Sequence, residues 1–429
     1  MVLFHGLYFS PILRESPLQS FGYIMPSINT LLLALVVSLA SVSAQASHHH
    51  KHASFHKRAG SPDDALHYNA SSLTNKTILS APIPAPPSGE GGFRTSAALT
   101  YQLRDSYTAS NFFSAWSFFS GPDPTHGFVN YVDQGTAWNE GLIGTENGQI
   151  RMSVDSRNRA DDRGRKSVRL TSNKAYNRGL FIIDLAHMPG AACGIWPAFW
   201  VRIVLCLLPP AAFLRLFSSR ILFASIMRRD HPADTTQMFG PNWPSSGEID
   251  IIEGVNLQTT NSITLHTSPG CTMNFDGSAG AIPLESNCNA NNGYNGCSVG
   301  TRDSKNFGTG FNQNGGGVYA MQWESSGIYV WFFPRNAVPK DIADRRPMTQ
   351  NWGAPVVAFN GGGGCNVNER FRDMNIVFDT TFCGDWAGGV FGQQCGYTGQ
   401  SCVDYVRNNP GVFAESYWKV NSVNVYQLG

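Results

Sequence analysis

Charged residues are scarce in this chain of 429 residues. Lys, Arg, Asp and Glu together make up 14% of it, and the net charge is +1. This composition excludes a coiled coil, a disordered chain kept open by its charge, and a nucleic-acid-binding protein built on a basic patch. The 44 Gly and the 12% of aromatic residues favour short strands joined by turns. We therefore predict an all-β protein, either a sandwich or a barrel.

The apolar run near the N terminus is too short to span a membrane comfortably. Leu31–Val37 forms its centre, and Val42-Ser43-Ala44 follows with the small-x-small pattern that signal peptidase cleaves. We predict a secretory signal region over residues 1–46, with translation starting at Met25. An N-terminal anchor helix is the alternative, which Pro26 and the short apolar run fit badly.

Two polar segments separate the signal region from the rest of the chain. Residues 47–58 are basic and rich in His, and they end in the dibasic pair Lys57-Arg58, which processing proteases cut. We interpret them as a disposable pro-segment, with metal binding as the alternative. Residues 59–96 are rich in Ser and Pro and predict a linker that buries no core. The sequons at Asn69 and Asn75 lie in this linker.

The most informative stretch is Glu248-Ile-Asp250-Ile-Ile-Glu253. Its strand propensity is high and no helical period fits it. On a regular strand Glu248 and Asp250 share a face, whereas Glu253 would point away. A β-bulge at Ile251-Ile252 would bring all three acids to one face.

This arrangement sets the distance between the outer carboxyls. Four effective strand steps separate the Cα atoms of Glu248 and Glu253 by roughly 13 Å, and two inward-leaning side chains leave roughly 5 Å between their carboxyls. Retaining glycosidases hold their two carboxyls about 5–5.5 Å apart, and inverting ones use a wider gap. Three carboxylates on one face repel one another, so the pKa of at least one of them should rise. A carboxyl with a raised pKa suits a general acid.

A calcium site is the alternative interpretation of so many carboxylates. The additional oxygen ligands that Ca²⁺ requires are not obvious nearby. We therefore predict no metal and no cofactor.

Two longer stretches of this chain closely resemble glycoside hydrolase family 16, and within it the secreted fungal endo-β-1,3(4)-glucanases of the laminarinase type. They are Cys193–Trp200, with one Trp-Pro pair, and Gly240–Asn256, with a second Trp-Pro pair and the three acids. Thr264–Ser268 agrees as well, and the resemblance covers residues 97–429.

The resemblance implies a role for each acid. Glu248 would be the nucleophile and Glu253 the acid/base, while Asp250 between them would tune their protonation. The implied fold is a jelly-roll β-sandwich with a long groove across its concave sheet. We predict that residues 97–429 form this catalytic domain, and that no separate carbohydrate-binding module follows the strand-like Tyr417–Leu428.

Several other side chains are candidates for binding the substrate. If the strand after Glu253 turns back near Gln258-Thr259, Thr264 lies opposite Glu253 and His266 shares its face. His266 could then hydrogen-bond the acid/base or the sugar, with a purely structural role as the alternative. Tryptophan side chains stack on the apolar faces of sugars. At least one of Trp196, Trp200 and Trp243 is expected in the core. Trp200 and Trp243 are the two that we predict in the groove.

Two further candidates come from the resemblance. The alternation in Gly164–Leu170 predicts a strand with Arg165, Ser167 and Arg169 on one side, and in the family an Arg on this strand reaches the sugar hydroxyls. We choose Arg169, with a solvated strand face as the alternative. Asn130 is assigned to substrate binding in the same way.

Residues 201–237 depart from the family pattern, because they separate Trp200 from a Gly-Pro-Asn-Trp-Pro segment that should follow almost at once. The segment contains apolar runs that a secreted enzyme would not expose. We interpret it as a retained intron translated in frame. Val201-Arg202 can be encoded by GTACGT, a splice donor, and Gln237 by CAG, an acceptor. A lid loop and a membrane-associating hairpin are the alternatives.

The cysteine count supports this interpretation. Of nine Cys, only Cys206 lies in the insertion, and the other eight form the even number that a fully paired extracellular domain prefers. Eight Cys allow 105 pairings, so none is assigned.

We expect a secreted, monomeric endo-β-glucanase that acts on β-1,3- or mixed β-1,3/1,4-glucan with retention of configuration. It is expected to bind β-glucan, no nucleic acid and, after signal removal, no membrane. One alternative is a transglycosylase that remodels cell-wall glucan. The other is an inactive glucan-binding protein, if the insertion is real and blocks the groove.

Overall fold

The structure, a computed structural model, describes residues 100–202 and 243–429, apart from Asn292, Tyr294, Tyr397 and Thr398. The signal region, the pro-segment, the linker and most of the insertion, as predicted from the sequence, lie outside these residues. No helix within the described part of the chain is long and apolar enough to cross a membrane.

Two antiparallel sheets of eight strands each make up the fold. The acid-bearing sheet has the order β12 (Ala281–Glu285), β13 (Cys297–Thr301), β11 (Ser262–His266), β10 (Glu248–Glu253), β9 (Ile195–Arg202), β17 (Met374–Phe382), β7 (Arg169–Tyr176) and β2 (Trp116–Phe118). The opposite sheet has the order β16 (Val357–Asn360), β15 (Gly327–Pro334), β14 (Gly317–Trp323), β8 (Gly179–His187), β18 (Tyr417–Leu428), β5 (Gln149–Ser153) and β4 (Ile143–Glu146), with β1 (Tyr101–Tyr107) also paired to β18. The fold is the predicted all-β jelly-roll sandwich.

The remaining elements are short. β3 (Val129–Tyr131) and β6 (Arg165–Ser167) form a small parallel pair. The α-helices are α1 (Gln134–Asn139), α2 (Gly308–Gln313), α3 (Lys340–Ala343), α4 (Val367–Arg370), α5 (Phe391–Gln394) and α6 (Cys402–Asn408). Single 3₁₀ turns cover Phe112–Ser114, Ser304–Asn306, Arg335–Ala337, Thr349–Asn351 and Pro410–Phe413, and a π turn covers Gly384–Gly388.

The main hydrophobic core lies between the two sheets. It includes Ile249 and Phe199 from the acid-bearing sheet and Ile183 and Trp323 from the opposite sheet, all almost completely buried. Because one face of each strand packs into this core, the other face of the acid-bearing sheet is left to carry polar side chains.

The strand predicted over Tyr417–Leu428 is confirmed as β18, with the same bounds. β14 and β15 form a hairpin around Ser325-Ser326-Gly327. Gly327 suits this hairpin because a Cβ there would lie 2.4 Å from the carbonyl oxygen of Phe359. The single strand expected over Gly164–Leu170 is wrong: β6 ends at Ser167 and β7 begins at Arg169.

All eight cysteines outside the insertion form disulfides. The pairs are Cys193–Cys395, Cys271–Cys365, Cys288–Cys297 and Cys383–Cys402. Cys206 lies outside the described residues.

Loop length predicts how much two of these disulfides stabilise the fold. Cys271–Cys365 joins residues 94 apart, and Cys288–Cys297 joins residues 9 apart. Removing Cys271–Cys365 should therefore lower the free energy of unfolding by about 2 kcal/mol more than removing Cys288–Cys297 does. Removing a native disulfide typically costs about 2–5 kcal/mol. We expect a lower denaturant midpoint for Cys271→Ala/Cys365→Ala than for Cys288→Ala/Cys297→Ala in urea titrations. The reverse order would contradict this prediction.

Candidate active site

Strand β10 carries the three acids, and its bulge is where the sequence predicts it. Pairing with β9 and with β11 changes register just after Asp250, so Ile251 and Ile252 form the irregularity. Both isoleucines are fully buried in the core. The acids Glu248, Asp250 and Glu253 consequently share the open face of the sheet.

The predicted partner of Glu253 is wrong by two residues. Ser262, not Thr264, lies opposite Glu253; Thr264 lies opposite Asp250, and His266 lies opposite Glu248. The loop between β10 and β11 is centred between Leu257 and Gln258, earlier than predicted. The bulge also adds one residue to β10 without a counterpart on β11. His266 therefore reaches the first two acids rather than the third.

Glu253 is held by a tryptophan from the neighbouring strand. The indole Nε1 of Trp196, on β9, donates a hydrogen bond of 2.8 Å to Glu253 Oε1. Burial and the charge of Asp250 raise the pKa of Glu253 well above its usual value, and the Trp196 bond opposes this rise. A raised pKa favours the protonated carboxyl, which suits a proton donor.

Asp250 and His266 form a buried ion pair. The imidazole Nε2 of His266 lies 3.0 Å from Asp250 Oδ2. Burial lowers the pKa of His266, but Asp250, Glu248 and Glu253 outweigh it and raise the pKa to about 9. Burial and the charge of Glu248 raise the pKa of Asp250, which His266 partly offsets. A positive charge therefore lies among the three acids at neutral pH.

Glu248 has two neighbours of its own. The indole Nε1 of Trp243 donates a 3.0 Å hydrogen bond to Glu248 Oε2, and Arg202 Nη1 lies 3.9 Å from the same oxygen. Arg202 is buried and lies over the ring of Trp200. Glu248 therefore has a hydrogen-bond donor and a cation beside the same carboxylate oxygen.

Potential ligand atoms of Glu248, Asp250 and His266 lie within 4.8 Å of one another. A divalent cation could bridge groups at this spacing, although Asp250 and His266 already neutralise each other as an ion pair. The absence of a metal and of a cofactor stays a prediction.

A second polar group lies on the neighbouring strands of the same face. Arg169, the predicted sugar-binding arginine, lies over the Trp200 ring and 3.9 Å from Asp379 Oδ2. Burial raises the pKa of Asp379 to about 7, although Arg169 opposes the rise. Tyr131 also donates a hydrogen bond of 3.3 Å to Asp379. Trp200, predicted in the groove, is thus flanked by two arginines.

Asn130 lies apart from the acids. It lines a cavity of about 270 Å³ together with Tyr131, Asp133, Arg163 and Lys166. Tyr131, which also lines this cavity, is the residue that hydrogen-bonds Asp379. Arg165 has a different role from Arg169, because its guanidinium is buried and donates to the backbone oxygens of Val406 and Asp155.

Sequence reasoning missed several residues of this site. Trp196 was expected to be no more than a core or groove tryptophan, yet it bonds Glu253 directly. Trp386, which packs edge-on against Trp196 at 5.6 Å, and Asp379 were not singled out at all. Asp379 is an acid within the otherwise apolar strand β17, and this position could have marked it as a candidate. Its partners lie far from it in sequence, so they could not be predicted.

Comparison with known proteins gives this site a family. The profile described as "XgeA-like, catalytic GH16 domain" matches residues 116–203 and 235–426. The chain belongs to glycoside hydrolase family 16.

Two similar curated relatives come from fungi. The chain is 41% identical over 340 residues to a probable endo-1,3(4)-beta-glucanase of Aspergillus fumigatus, covering 77% of this chain and 46% of that protein. An endo-1,3(4)-beta-glucanase of Arthroderma benhamiae is 38% identical, with 79% and 67% covered. The chain thus spans about half the length of most of the curated relatives it matches.

Two solved family 16 structures share the fold. One is an elongating β-1,3-glucosyltransferase, 39% identical with a TM-score of 0.65. The other is laminarinase 16A from Phanerochaete chrysosporium with β-glucans in both donor and acceptor sites, 38% identical with a TM-score of 0.63. Each comparison covers 76% of this chain and 100% of the other.

The Trp196 hydrogen bond predicts the titration of Glu253. Because this bond favours the carboxylate, Trp196→Phe should raise the pKa of Glu253 by about one pH unit. Carboxyl ¹³C NMR of glutamate-labelled protein measures the midpoint. Trp243→Phe, which removes an indole N–H from Glu248 instead, is the matched control and should leave the Glu253 midpoint in place. An unchanged midpoint in Trp196→Phe would sink the prediction.

Proposed function

We propose that residues 97–429 form a secreted endo-β-glucanase that hydrolyses β-1,3- or mixed β-1,3/1,4-glucan with retention of configuration. The observation that carries this proposal is the bulged strand β10, with Glu248, Asp250 and Glu253 on one open face. The names of the fungal relatives support the substrate class. We further propose that the protein acts as a monomer and has β-glucan as its partner.

In the proposed double displacement, Glu253 is the acid/base and Glu248 is the nucleophile. Protonated Glu253 gives its proton to the glycosidic oxygen while Glu248 attacks the anomeric carbon, so the glycosidic bond breaks and a glycosyl ester forms. Glu253, now charged, then takes a proton from a water whose oxygen attacks the same carbon and frees Glu248. The raised pKa of Glu253 fits the first step. Asp250, paired with His266, keeps a fixed charge between the two.

The remaining open-face side chains would bind the glucan. We propose that Trp200 and Trp243 stack on glucosyl rings and that Arg169 and Asn130 bind hydroxyl groups. Asp379, beside Arg169, adds an acceptor to the same region. His266 has its Nε2 engaged with Asp250, and so its contribution is to the charge of the site rather than to a sugar hydroxyl.

A second candidate function is glucosyl transfer. The glucosyltransferase of the same family is 39% identical to this chain, which supports this alternative. The first half-reaction is shared, and an acceptor sugar replaces water in the second. Product analysis with laminarin and an added acceptor oligosaccharide distinguishes the two, because transfer yields longer chains and hydrolysis shorter ones.

Variants of the two outer acids test the mechanism. Glu248→Ala should abolish activity on laminarin and lichenan, and Glu253→Ala should lower kcat by about 10²–10⁴-fold. Azide should partly rescue Glu253→Ala and give a β-glycosyl azide, whereas Glu248→Ala with azide should give the α product, because each product reports which face is attacked. The exposed Glu369→Ala is the control and should keep full activity. Wild-type activity in Glu248→Ala would overturn the assignment.

We also propose that residues 201–237 are a retained intron. The family profile supports an insertion, since its match stops at residue 203 and resumes at residue 235. Val201 and Arg202 pair with β10 and β17 at the end of β9, so a spliced chain would need Met238 and Phe239 to take these two places. If the insertion is instead present in the enzyme, a glucan-binding protein without activity is the alternative.

Two deletions of equal length test this proposal. A chain without 201–237 should be active and have a higher Tm than the full chain, because it loses an apolar segment that lies mostly outside the family profile. A chain without 203–239 keeps Val201 and Arg202 and should be the less stable of the two deletions. Thermal unfolding and laminarin hydrolysis measure both effects. A mature transcript that carries the codons for 201–237 at high abundance contradicts the intron.

A further inference from the structure

A disulfide-closed loop packs against the end of strand β11. The loop runs from Cys288 to Cys297 and is closed by their disulfide. Its backbone is bonded to Thr267, which follows His266: the Thr267 N–H donates to the Cys288 oxygen at 2.7 Å, and the Ala290 N–H donates to the Thr267 oxygen at 2.9 Å. The loop is therefore fixed to the residue next to His266.

Within this loop Gly296 lies against the His266 ring. Its N–H donates to the Asn289 oxygen at 3.0 Å, and its φ is +81°. A Cβ at Gly296 would lie 2.7 Å from His266 Nδ1 and 2.4 Å from the Leu265 carbonyl oxygen. Only glycine fits both this backbone conformation and this contact.

The contact determines which way the imidazole faces. Gly296 closes the Nδ1 side of the ring, and among the described residues Nδ1 has no hydrogen-bond partner. The other nitrogen, Nε2, is thereby directed at Asp250. The charged groups that face His266 are the three acids of β10, and the ring of Trp243 lies 6.3 Å away. The loop itself contains no Asp, Glu, Lys, Arg or His.

We propose that Gly296, held by the Cys288–Cys297 loop, is a positioning residue that sets the ion pair between His266 and Asp250. It acts through His266 and touches none of the reacting atoms. Its effect on the rate rests on the proposed function, because the ion pair matters for catalysis only if the β10 acids are catalytic. Its effect on the His266 ring is independent of any activity.

Gly296→Ala and Gly277→Ala form a matched pair for the test. Gly277 has a φ of +85° and nothing within 4 Å of the Cβ position, so alanine there meets the same backbone conformation without the contact. In Gly296→Ala we expect the NMR titration of His266 to fall by about one pH unit or more, because the ring moves away from Asp250. We expect kcat/KM to fall by about 100-fold. Gly277→Ala should keep the wild-type His266 titration and kcat/KM.

A second variant removes the restraint without adding a Cβ. Cys288→Ala/Cys297→Ala releases the loop and should lower the His266 midpoint in the same direction, with circular dichroism confirming the fold. If His266 titrates as in the wild type in both variants, the positioning role is wrong. If the titration shifts and all proteins lack glucanase activity, the positioning role stands and the proposed function fails.

Discussion

Strand β10 places three acids on one face and three isoleucines on the other. A regular strand cannot do this, because Glu253 lies an odd number of residues from Glu248 and Asp250. The bulge at Ile251 and Ile252 resolves this conflict by placing both side chains in the core. Strands β9 and β11 change register at the same place, so the position of every side chain beside the acids depends on it. A shift of one residue here would bury a carboxylate in the core and expose an isoleucine.

Three carboxyls that lie close together and largely buried repel one another when charged. The surrounding residues reduce this repulsion differently for each carboxyl. Trp243 donates a hydrogen bond to Glu248, and His266 forms an ion pair with Asp250. Glu253 accepts the Trp196 N–H, and burial keeps its pKa raised. The partners thus distinguish the three acids, and the raised pKa of Glu253 favours the proton that a general acid must donate.

Much of this site could be predicted from local sequence. The acids, the bulge, the β14–β15 hairpin and the last strand follow from spacings within about ten residues, where strand periodicity is decisive. The exact partner of Glu253 could not be predicted, because it depends on the length of the loop before β11. Trp196 was recognised as a family tryptophan, but its bond to Glu253 depends on how two strands far apart in sequence align.

The sequence by itself determined the fold class, the family and which acids share a face, because each is encoded in a short pattern of residues. Only the tertiary structure decided which groups surround those acids. Asp379 meets Arg169, Trp386 meets Trp196, and Cys193 pairs with Cys395 across 202 residues. Contacts of this kind arise when sheets and loops pack around a common core, and no local spacing specifies them.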